Sequence, residues 1–534
     1  SSALSRAGEE TESAAAMSHR RRPHAPGPPP PPEEGGGDSS PQSPRIRPWP
    51  ERRVLALALA FRAVNALLVR TYFNPDEHWQ CLEVAHRVAF GYGHLTWEWK
   101  RGLRGYLHPL IFAALYKFLA FLHLDTPWFM VMAPRLLQSV FAAFGDLYLY
   151  KLSKLIFNED VAQWTLFSQL VNWFMFFCIT RTLSNSLETV LTVAGLYYWF
   201  IAIESSKGIS VISKQQASSY QSPHSRKVAL LIAALACAIR PTSAITWLYV
   251  GLLDFIYIKS KCRFLFLEVI PIGAIVLAAT TFLDWWMYGS RVIVPLNFLK
   301  FNLFSSGGDY YGTHVFHWYF TQGLIAWVLG VYSILGHKEF RFVLPVLPLA
   351  LMFSGYFLAA MSQFKGKNLH GKRHFSRLQL SVILLIITNV PMALYMSLFH
   401  QRGTEDVMFY LSKEAHNGRV KGVLFLMPCH STPYYSTLHS SLPMRFLDCT
   451  PSDNKGTLDE SDRFLMNPLD FVGEVFGNLS SFSHIVLFES EERHVIQLLL
   501  RDSFQEVRRF FHSHFKIDRD LQSSVVVYTR RDVL

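Results

Sequence analysis

The stretch RTYFNPDEHWQCLEVAHRVAFGYGHLTWEW spans residues 70–99 and begins where the first apolar run of the chain, 52–70, ends. It holds two adjacent acids, Asp76 and Glu77, together with three histidines and three tryptophans. A dense polar and aromatic cluster directly after an apolar run predicts a segment at the boundary between a bilayer and water. The stretch therefore indicates both the class of fold and the place to look for chemistry.

The composition is that of a membrane protein. Of the 534 residues, 50% are hydrophobic and only 17% are charged, and the mean hydropathy is +0.18. Apolar runs close to the roughly 20 residues that cross a bilayer recur along the chain. These runs are 52–70, 107–124, 129–150, 162–179, 186–204, 228–258, 264–283, 318–336, 341–361 and 378–399. They predict an all-α polytopic membrane protein with about eight to twelve membrane helices.

Basic residues predict the orientation of the chain in the membrane. The net charge of +11 comes mostly from short loops between apolar runs, such as KGKNLHGKRHFSR, which is typical of cytosolic loops. The loops 205–227 and 362–377 are therefore predicted to be cytosolic, and nucleic acid is not an expected partner. The basic RIRPWPERR before the first run predicts a cytosolic N-terminus and an uncleaved first helix. Residues 71–106 would then form a loop on the lumenal side.

Two segments depart from the pattern of regular membrane helices. Residues 1–50 are rich in Pro, Gly and Ser and predict a disordered cytosolic tail. Within 228–258, the pair Arg240-Pro241 should break a helix. Because an unpaired cation inside an apolar run is costly, we expect Arg240 to pair with an acid such as Glu188 or Asp254.

The character of the chain changes after the last apolar run. Short β-rich runs (KGVLFLMP, MRFLDC, SHIVLFE and SSVVVYTR) and the helical EERHVIQLLLRDSF predict a small α/β domain within 401–534. This domain contains the sequon Asn478-Leu-Ser, which can be glycosylated only on the lumenal side. Cys429 and Cys449 would form a disulfide in an oxidising lumen, or else remain two reduced thiols.

The local pattern around the acid pair predicts a turn and then a helix. Asn74-Pro75 suits a helix start, and acids are favourable in the first turn. Polar residues at helical spacing from Glu77 to His86 predict an amphipathic helix lying on the membrane surface. The acids and tryptophans would then be a helix cap and an interfacial belt. Alternatively, a carboxylate held at headgroup level is well placed to act as a general base.

Four motifs carry a family resemblance. FNPDEHWQCLEVAHRVAFGYGHLTWEW, TRTLSNSLE (180–188), YGTHVFHWYFTQG (311–323) and HKEFRFVLPVLP (337–348) resemble, in this order, motifs of the endoplasmic-reticulum mannosyltransferases that use dolichyl-phosphate mannose. The resemblance covers about residues 52–400. It implies a GT-C fold, in which a multi-span helical domain (51–400) carries its active site on the lumenal loop 71–106. NPDEHWQ with TWEW is most similar to the branch that assembles glycosylphosphatidylinositol (GPI) anchors.

The resemblance also implies a reaction. Mannose would pass from dolichyl-phosphate mannose to the second mannose of a GPI precursor through an α-1,2 link, with inversion, and so become the third mannose. Asp76 is the expected general base and Glu77 the alternative, because adjacent residues of a helix point about 100° apart. A lipid phosphate is already a good leaving group, so neither a metal ion nor another cofactor is expected.

The remaining motif residues are predicted to contact substrate. In the first loop these are His78, Trp79, Gln80, Trp97 and Glu98, and in the later motifs they are Arg181, Asn185, His314, His317, Trp318, Tyr319, Lys338 and Arg341. Plainer roles also fit the later motifs, namely an interfacial aromatic cluster, a polar loop, or an ion pair with Glu339. Two other functions stay open, a transporter or scramblase of lipid-linked sugars and a mannosyltransferase of N-glycan precursors.

Overall fold

The computed structural model describes residues 48–206, 222–258, 260–304, 339–363, 376–451, 457–515 and 522–533. Outside these ranges lie the tail 1–47, most of the two loops predicted to be cytosolic and the apolar run 318–336. Five residues predicted to contact substrate also lie outside them: His314, His317, Trp318, Tyr319 and Lys338.

Helices dominate the described part of the chain up to residue 398. The α-helices are α1 (Glu51–Leu68), α2 (Pro75–Glu77), α3 (Glu83–Phe90), α4 (Trp97–Lys100), α5 (Leu107–Phe121), α6 (Pro127–Ile156), α7 (Glu159–Val171), α8 (Trp173–Cys178), α9 (Ser184–Ser206), α10 (Ser222–Ile239), α11 (Ala244–Tyr257), α12 (Lys261–Phe264), α13 (Ile270–Tyr288), α14 (Val294–Leu299), α15 (Leu347–Gln363) and α16 (Arg377–Leu398). Helix α6 packs against α1, α7 and α9, while α10 lies against α9 and α13.

Four helical segments of the described residues are long and apolar enough to cross a bilayer. They are Pro127–Ile156, Ser184–Ser205, Lys261–Tyr288 and Arg377–His416, and shorter apolar helices cover Leu107–Phe121, Pro241–Ile256 and Leu347–Gln363. The Lys261–Tyr288 segment joins α12 and α13 through a π-helical turn, Leu265–Val269. The chain is thus a helical membrane protein, and its exact number of spans stays a prediction.

Two apolar runs are interrupted, one as predicted and one not. Helix α10 ends at Ile239, and a 3-10 turn at Pro241–Ser243 precedes α11, so the predicted break at Arg240-Pro241 is confirmed. The second is the apolar run 162–179, which the structure divides between two helices. Helix α7 ends at Val171, and the Asn172 side chain accepts a hydrogen bond from the Met175 N–H at 2.9 Å to start α8. A capping amide in the middle of the run ends one helix and begins another.

A five-stranded sheet follows the helices, in the order β2-β1-β3-β5-β4. Its strands are β1 (Val423–Leu426), β2 (Met444–Phe446), β3 (His484–Phe488), β4 (Phe504–Phe511) and β5 (Ser524–Arg530). The helices around it are α17 (Gly403–His416), α18 (Tyr435–Leu438), α19 (Glu460–Met466), α20 (Pro468–Val475) and α21 (Glu489–Arg501).

The β-rich runs predicted from the sequence coincide with β1, β2, β3 and β5, and this prediction is confirmed. Strand β4 was not predicted, and only its first residue, Phe504, lies within the run predicted to be helical. Strand β1 is parallel to β2 and β3, whereas β5 is antiparallel to β3 and β4. Apolar side chains from both faces of this sheet are buried in two cores.

The segment after α1 lies between the helical part and the sheet. Helix α18, which precedes β2, contacts both α3 and α6. Trp79 belongs to the same apolar core as Val423 and Phe425 of β1. The predicted helix is present as α2, the π-helical turn His78–Leu82 and α3, but it does not lie on a membrane surface, because Glu77 and Glu83 of its polar face are buried.

Candidate active site

The backbone geometry of α2 directs the side chains of the adjacent acids Asp76 and Glu77 to different surroundings. The Asn74 side chain accepts a hydrogen bond from the Asp76 N–H at 3.0 Å, and Pro75 occupies the first helical position, as predicted. One turn of α-helix, α2, then passes into a π-helical turn, His78–Leu82, before α3 begins. Consequently, Asp76 lies in a partly open cluster of charges, whereas Glu77 points into the protein.

The Asp76 cluster consists of Asn74, Asp76, Arg104, Glu339 and Arg341. Asp76 Oδ2 lies 2.5 Å from Arg341 Nη1 and 3.7 Å from Arg104 Nη1. Arg341 also donates to Asn74 Oδ1 at 2.6 Å and contacts Glu339 at 2.6 Å. The side chains of Asp76 and Arg104 are 13% and 25% exposed, so this cluster can be reached from outside.

A third arginine, Arg240, is connected to Arg341 through Asn185. The Asn185 amide donates to the Arg341 carbonyl at 3.2 Å and accepts a hydrogen bond from Arg240 at 3.0 Å. Arg240 Nε lies 3.3 Å from a carboxylate oxygen of Glu188. The expectation that Arg240 pairs with Glu188 or Asp254 is thereby confirmed for Glu188.

The charges around Asp76 determine its protonation state. Burial by itself would raise the pKa of this carboxyl, but the positive charges of Arg341, Arg104 and Arg240 outweigh burial and lower the pKa to about 2. Asp76 is therefore an ionised carboxylate at neutral pH.

The Glu77 cluster is built differently and consists of Glu77, His78, Arg135, Arg181 and Glu405. Glu77 lies 2.8 Å from Arg181 and 3.1 Å from Arg135, and Arg135 reaches Glu405 at 2.9 Å. His78 Nε2 lies 3.2 Å from Glu405. Each of these side chains is at most 2% exposed.

Glu77 is also ionised, but it is enclosed. Burial would raise its pKa, while Arg181 and Arg135 hold the pKa below the ordinary value for a glutamate. Arg181 further donates to the Thr71 and Phe177 carbonyls, so it ties the loop to the end of α8. The structure thus places Arg181 and His78, two residues predicted to contact substrate, in a closed network beside Glu77.

The TWEW motif lies on the other side of Arg104. Glu98 accepts a hydrogen bond from the Thr96 hydroxyl at 2.5 Å and lies 3.8 Å from Arg104. Gln80 donates to the Thr96 hydroxyl at 3.2 Å and accepts from the Trp99 indole at 2.7 Å. Glu98 therefore reaches the Asp76 cluster through Arg104, while Gln80 fixes the motif. Trp97 is buried, with its ring centroid 5.8 Å from that of Phe301.

Trp79 faces the sheet domain. Its indole donates to the Thr432 carbonyl at 2.8 Å, and its ring stacks on Tyr434 with centroids 5.0 Å apart. Nearby, the Tyr72 hydroxyl donates to the His430 carbonyl at 2.5 Å. These contacts attach the loop that bears Asp76 to the segment closed by the Cys429–Cys449 disulfide. Of the two thiol states left open by the sequence, the structure has the disulfide.

One group of residues has the composition of a metal site. In the described part of the chain, the His, Cys and acidic side chains close enough together to share an ion are those of Cys429, His430 and Cys449. The two sulfur atoms are bonded to each other, so they are not the thiolates that bind zinc. The expectation that the reaction needs no metal ion stays a prediction.

Comparison with known proteins identifies the family. The profile of the Alg9-like mannosyltransferase family matches residues 53–327 and 323–439, which is well over half of the chain. This chain belongs to the Alg9-like mannosyltransferase family. It is thus a glycosyltransferase, and the class of enzyme predicted from the sequence is confirmed.

Relatives of this Alg9-like protein match almost from end to end. Mannosyltransferase APTG1 of Arabidopsis thaliana is 60% identical, over 89% of this chain and 92% of its own length. The Mus musculus protein GPI alpha-1,2-mannosyltransferase 3 is 38% identical over 92% of this chain and 91% of its own length. The Homo sapiens protein of the same name is 37% identical over 90% and 87%.

A solved structure shows the fold. ArnT from Cupriavidus metallidurans bound to undecaprenyl phosphate superimposes with a TM-score of 0.51, covering 90% of this chain and 98% of ArnT, at 10% identity. ArnT is a GT-C glycosyltransferase, so the predicted GT-C fold is confirmed for the helical membrane part. The extent and lumenal location of the C-terminal domain stay predictions.

Several charged residues of this Alg9-like site were not predicted from the sequence. Arg104, Arg135 and Glu405 were not selected, and Arg240 was selected only for its structural partner. One signal was available for Arg104. It lies near the end of the loop 71–106, which was predicted to be lumenal, and a cation there departs from the positive-inside pattern. Arg135 and Glu405 are separated from Glu77 by 58 and more than 300 residues, so no local pattern joins them.

Proposed function

We propose that this chain is the enzyme that adds the third mannose to the GPI-anchor precursor. It would transfer mannose from dolichyl-phosphate mannose to a GPI precursor carrying two mannoses, forming an α-1,2 link. The relatives named GPI alpha-1,2-mannosyltransferase 3 support this acceptor and linkage. The observation that carries the chemistry is a partly exposed carboxylate, Asp76, facing three arginines.

The arginines suit the donor. The leaving group of dolichyl-phosphate mannose is a lipid phosphate, whose negative charge grows as the sugar bond breaks. Arg104 lies at the accessible side of the Asp76 cluster, and the more buried Arg341 and Arg240 add further positive charge. Guanidinium groups bind phosphate through charge-assisted hydrogen bonds and stabilise developing negative charge at no cost of reorganisation.

Asp76 suits the acceptor. In an inverting transfer, the acceptor hydroxyl oxygen bonds to the anomeric carbon while the bond from that carbon to the phosphate oxygen breaks. The hydroxyl proton passes to a single base, and we assign that role to Asp76. Glu77 is a weaker candidate, because both of its carboxylate oxygens lie against buried arginines.

A carboxylate with a pKa of about 2 is a weak base, and donor binding would correct this. A phosphate bound to Arg341 and Arg104 neutralises the charges that lower the pKa of Asp76. Burial is then opposed mainly by Arg240, so the pKa of Asp76 rises. On this mechanism, Asp76 becomes an effective base only when the donor is bound.

The proposed location is the endoplasmic reticulum membrane, with a cytosolic N-terminus and a lumenal active site. Two features of the C-terminal domain support a lumenal side. Cys429 and Cys449 form a disulfide, which persists in an oxidising compartment. Asn478 of the predicted sequon is exposed, so a glycan would fit there.

The test is a transfer assay with defined lipids. Purified protein in liposomes receives dolichyl-phosphate mannose and either a two-mannose GPI lipid or an N-glycan precursor lipid. We expect a three-mannose GPI product whose new bond is cleaved by an α-1,2-specific mannosidase, and no product on the N-glycan lipid. Mannose on the N-glycan lipid would reject the acceptor. Movement of lipid across the bilayer without a new bond would reject the enzyme in favour of a transporter.

A further inference from the structure

Arg104 lies on a segment that has no helix or strand of its own to support it. Residues 101–106 connect α4 to α5, and Gly102 adopts a left-handed conformation with φ of +65°. The guanidinium must nevertheless stay within 4 Å of both Asp76 and Glu98. Something outside the segment must therefore hold its backbone.

Three side chains from one region provide that support. Asn297 donates to the Gly102 carbonyl at 3.3 Å, and the Tyr288 hydroxyl donates to the Arg104 carbonyl at 2.8 Å. Asp284 Oδ1 accepts a hydrogen bond from the Tyr106 N–H at 2.8 Å. Asp284 and Tyr288 lie one turn apart at the end of α13, and Asn297 lies on α14. The backbone groups of Gly102, Arg104 and Tyr106 are thus each hydrogen-bonded to a side chain of α13 or α14.

Asp284 is an unusual residue for its position. Helix α13 belongs to an apolar segment of which only 17% is buried, and its neighbours Phe282 and Trp286 are 71% and 76% exposed. Asp284 itself is only 4% exposed. An acid in a membrane segment is costly, so its retention points to a function. The hydrogen bond that offsets this cost comes from a single backbone N–H, that of Tyr106, two residues after Arg104.

Aromatic packing extends the same support to the TWEW motif. The Tyr288 ring lies 5.0 Å from that of Tyr106, and Tyr106 lies 4.7 Å from Trp99. The end of α13 therefore contacts both chain segments that reach the Asp76 cluster from this side, the one bearing Arg104 and the one bearing Glu98.

We propose that Asp284 and Tyr288 are positioning residues that hold Arg104 against the lipid-phosphate donor. They do not touch the reacting atoms and act through the backbone of 104–106. This inference rests on the proposed function only for the identity of the ligand that Arg104 binds. Displacement of a charge-stabilising group by about 1 Å costs on the order of 10²-fold in rate, so a loose Arg104 would be nearly as harmful as its removal.

The test is a double-mutant cycle. We expect Arg104→Met to lower kcat/KM for the donor about 100-fold, as does the loss of one charge-stabilising donor in other enzymes. Asp284→Ala should lower it about 10- to 100-fold, and the double variant should be no worse than Arg104→Met. Effects that multiply would overturn the inference, because they would show that Asp284 acts independently of Arg104.

Conservative and control variants separate positioning from folding. Asp284→Asn keeps a carbonyl oxygen for the Tyr106 N–H and should stay within about threefold of the wild type. Thr280 lies one turn earlier on α13, and its hydroxyl bonds only to carbonyls of its own helix. Thr280→Val should therefore have no effect.

Should Asp284→Ala not fold, Tyr288→Phe provides a second test, because it removes the hydrogen bond to the Arg104 carbonyl and keeps the ring. In that variant the KM for the donor should rise at least fivefold, and an unchanged KM would overturn the inference.

Binding of dolichyl phosphate distinguishes this inference from the proposed function. We expect the wild type to bind dolichyl phosphate, and the Arg104→Met and Asp284→Ala variants to bind it at least tenfold more weakly. Normal binding by Asp284→Ala alongside weak binding by Arg104→Met would overturn the positioning role and leave the proposed function intact. A wild type that binds no dolichyl phosphate would overturn both.

Discussion

Asp76 and Glu77 are neighbours in the chain, and each carboxylate lies against two arginines, yet their surroundings differ in almost every other respect. The Asp76 cluster is partly exposed, and its two arginines, Arg104 and Arg341, lie beside the acids Asp76 and Glu339. The Glu77 cluster is closed, and two acids and two arginines balance within it. An anion from outside can compete for the arginines of the partly exposed cluster, whereas the closed cluster can only hold elements together.

The comparison teaches that ionisation alone does not identify a catalytic acid. The pKa is lowered in both residues, because arginines outweigh burial in both. What separates them is whether a substrate can compete for the arginines. Around Asp76 it can, and the charge balance then changes. Around Glu77 every partner is buried, so nothing from outside can change it.

The largest expected effect is on activity at the open cluster. Asp76→Asn should lower transfer about 10³- to 10⁴-fold, because it removes the base and leaves the shape unchanged. The melting temperature should fall by less than that of Glu77→Gln, because Arg341 keeps its contact with Glu339. Initial rates and thermal unfolding in detergent measure the two quantities. Turnover within tenfold of the wild type would reject Asp76 as the base.

The isosteric change at the neighbouring residue should affect stability instead. Glu77→Gln leaves Arg135 and Arg181 buried without their shared counter-charge, which costs about 3–5 kcal/mol. We expect a lower yield of monodisperse protein and a clearly reduced melting temperature, with Asp76→Asn as the matched control. A Glu77→Gln protein as stable as the wild type but inactive would reverse the assignment of the two acids.

A third acid of the same loop, Glu83, has no arginine partner among the residues that the structure describes. Glu83 accepts hydrogen bonds from the backbone N–H groups of His94 at 3.1 Å and Ser436 at 2.9 Å. Burial raises its pKa from 4.5 to about 7 despite these bonds. Its protonated form therefore favours the folded state below pH 4.5, and this contribution is lost as the pH rises through 7.

We accordingly expect the folded protein to lose about 1–3 kcal/mol through Glu83 between pH 5 and pH 8. Thermal unfolding of the wild type and Glu83→Gln at both pH values measures this loss. The variant should have the weaker pH dependence of the two. Parallel pH dependence in both proteins would show that Glu83 is already ionised at pH 5.

The smallest effect is expected at Trp79, which connects this loop to the sheet domain. Trp79→Phe loses the hydrogen bond to the Thr432 carbonyl and should cost about 1 kcal/mol of stability. The KM values for donor and acceptor should change less than threefold. A larger rise in either KM would instead support the substrate contact predicted for Trp79 from the sequence.

Much of the fold follows from local patterns. Apolar runs predict the membrane helices, and Arg240-Pro241 predicts the break between α10 and α11, because both effects depend only on neighbouring residues. The pairing of Arg240 with an acid was predicted because an unpaired charge inside an apolar run is costly. Strand β4 was missed since a bulge between Glu506 and Arg508 interrupts the alternation that reveals a strand.

The candidate site was predictable only in part. The motif around Asp76 and Glu77 is visible in the sequence, but the choice between them is not, since it depends on partners far along the chain. Arg341 follows Asp76 by 265 residues, and Glu405 follows Glu77 by 328. The role of Trp79 was equally hidden, because a tryptophan suits a lipid interface, a sugar and an apolar core alike.

By itself, the sequence determined that this protein is a helical membrane glycosyltransferase with its acid pair at the end of the first apolar run. Bilayer thickness, helix breaking and motif composition act over short distances, so they can be read along the chain. Only the tertiary structure decided that Asp76 faces an open group of arginines and that Glu77 is enclosed. Charge balance and exposure are set by every residue that folds around a carboxylate, and those residues come from distant parts of the chain.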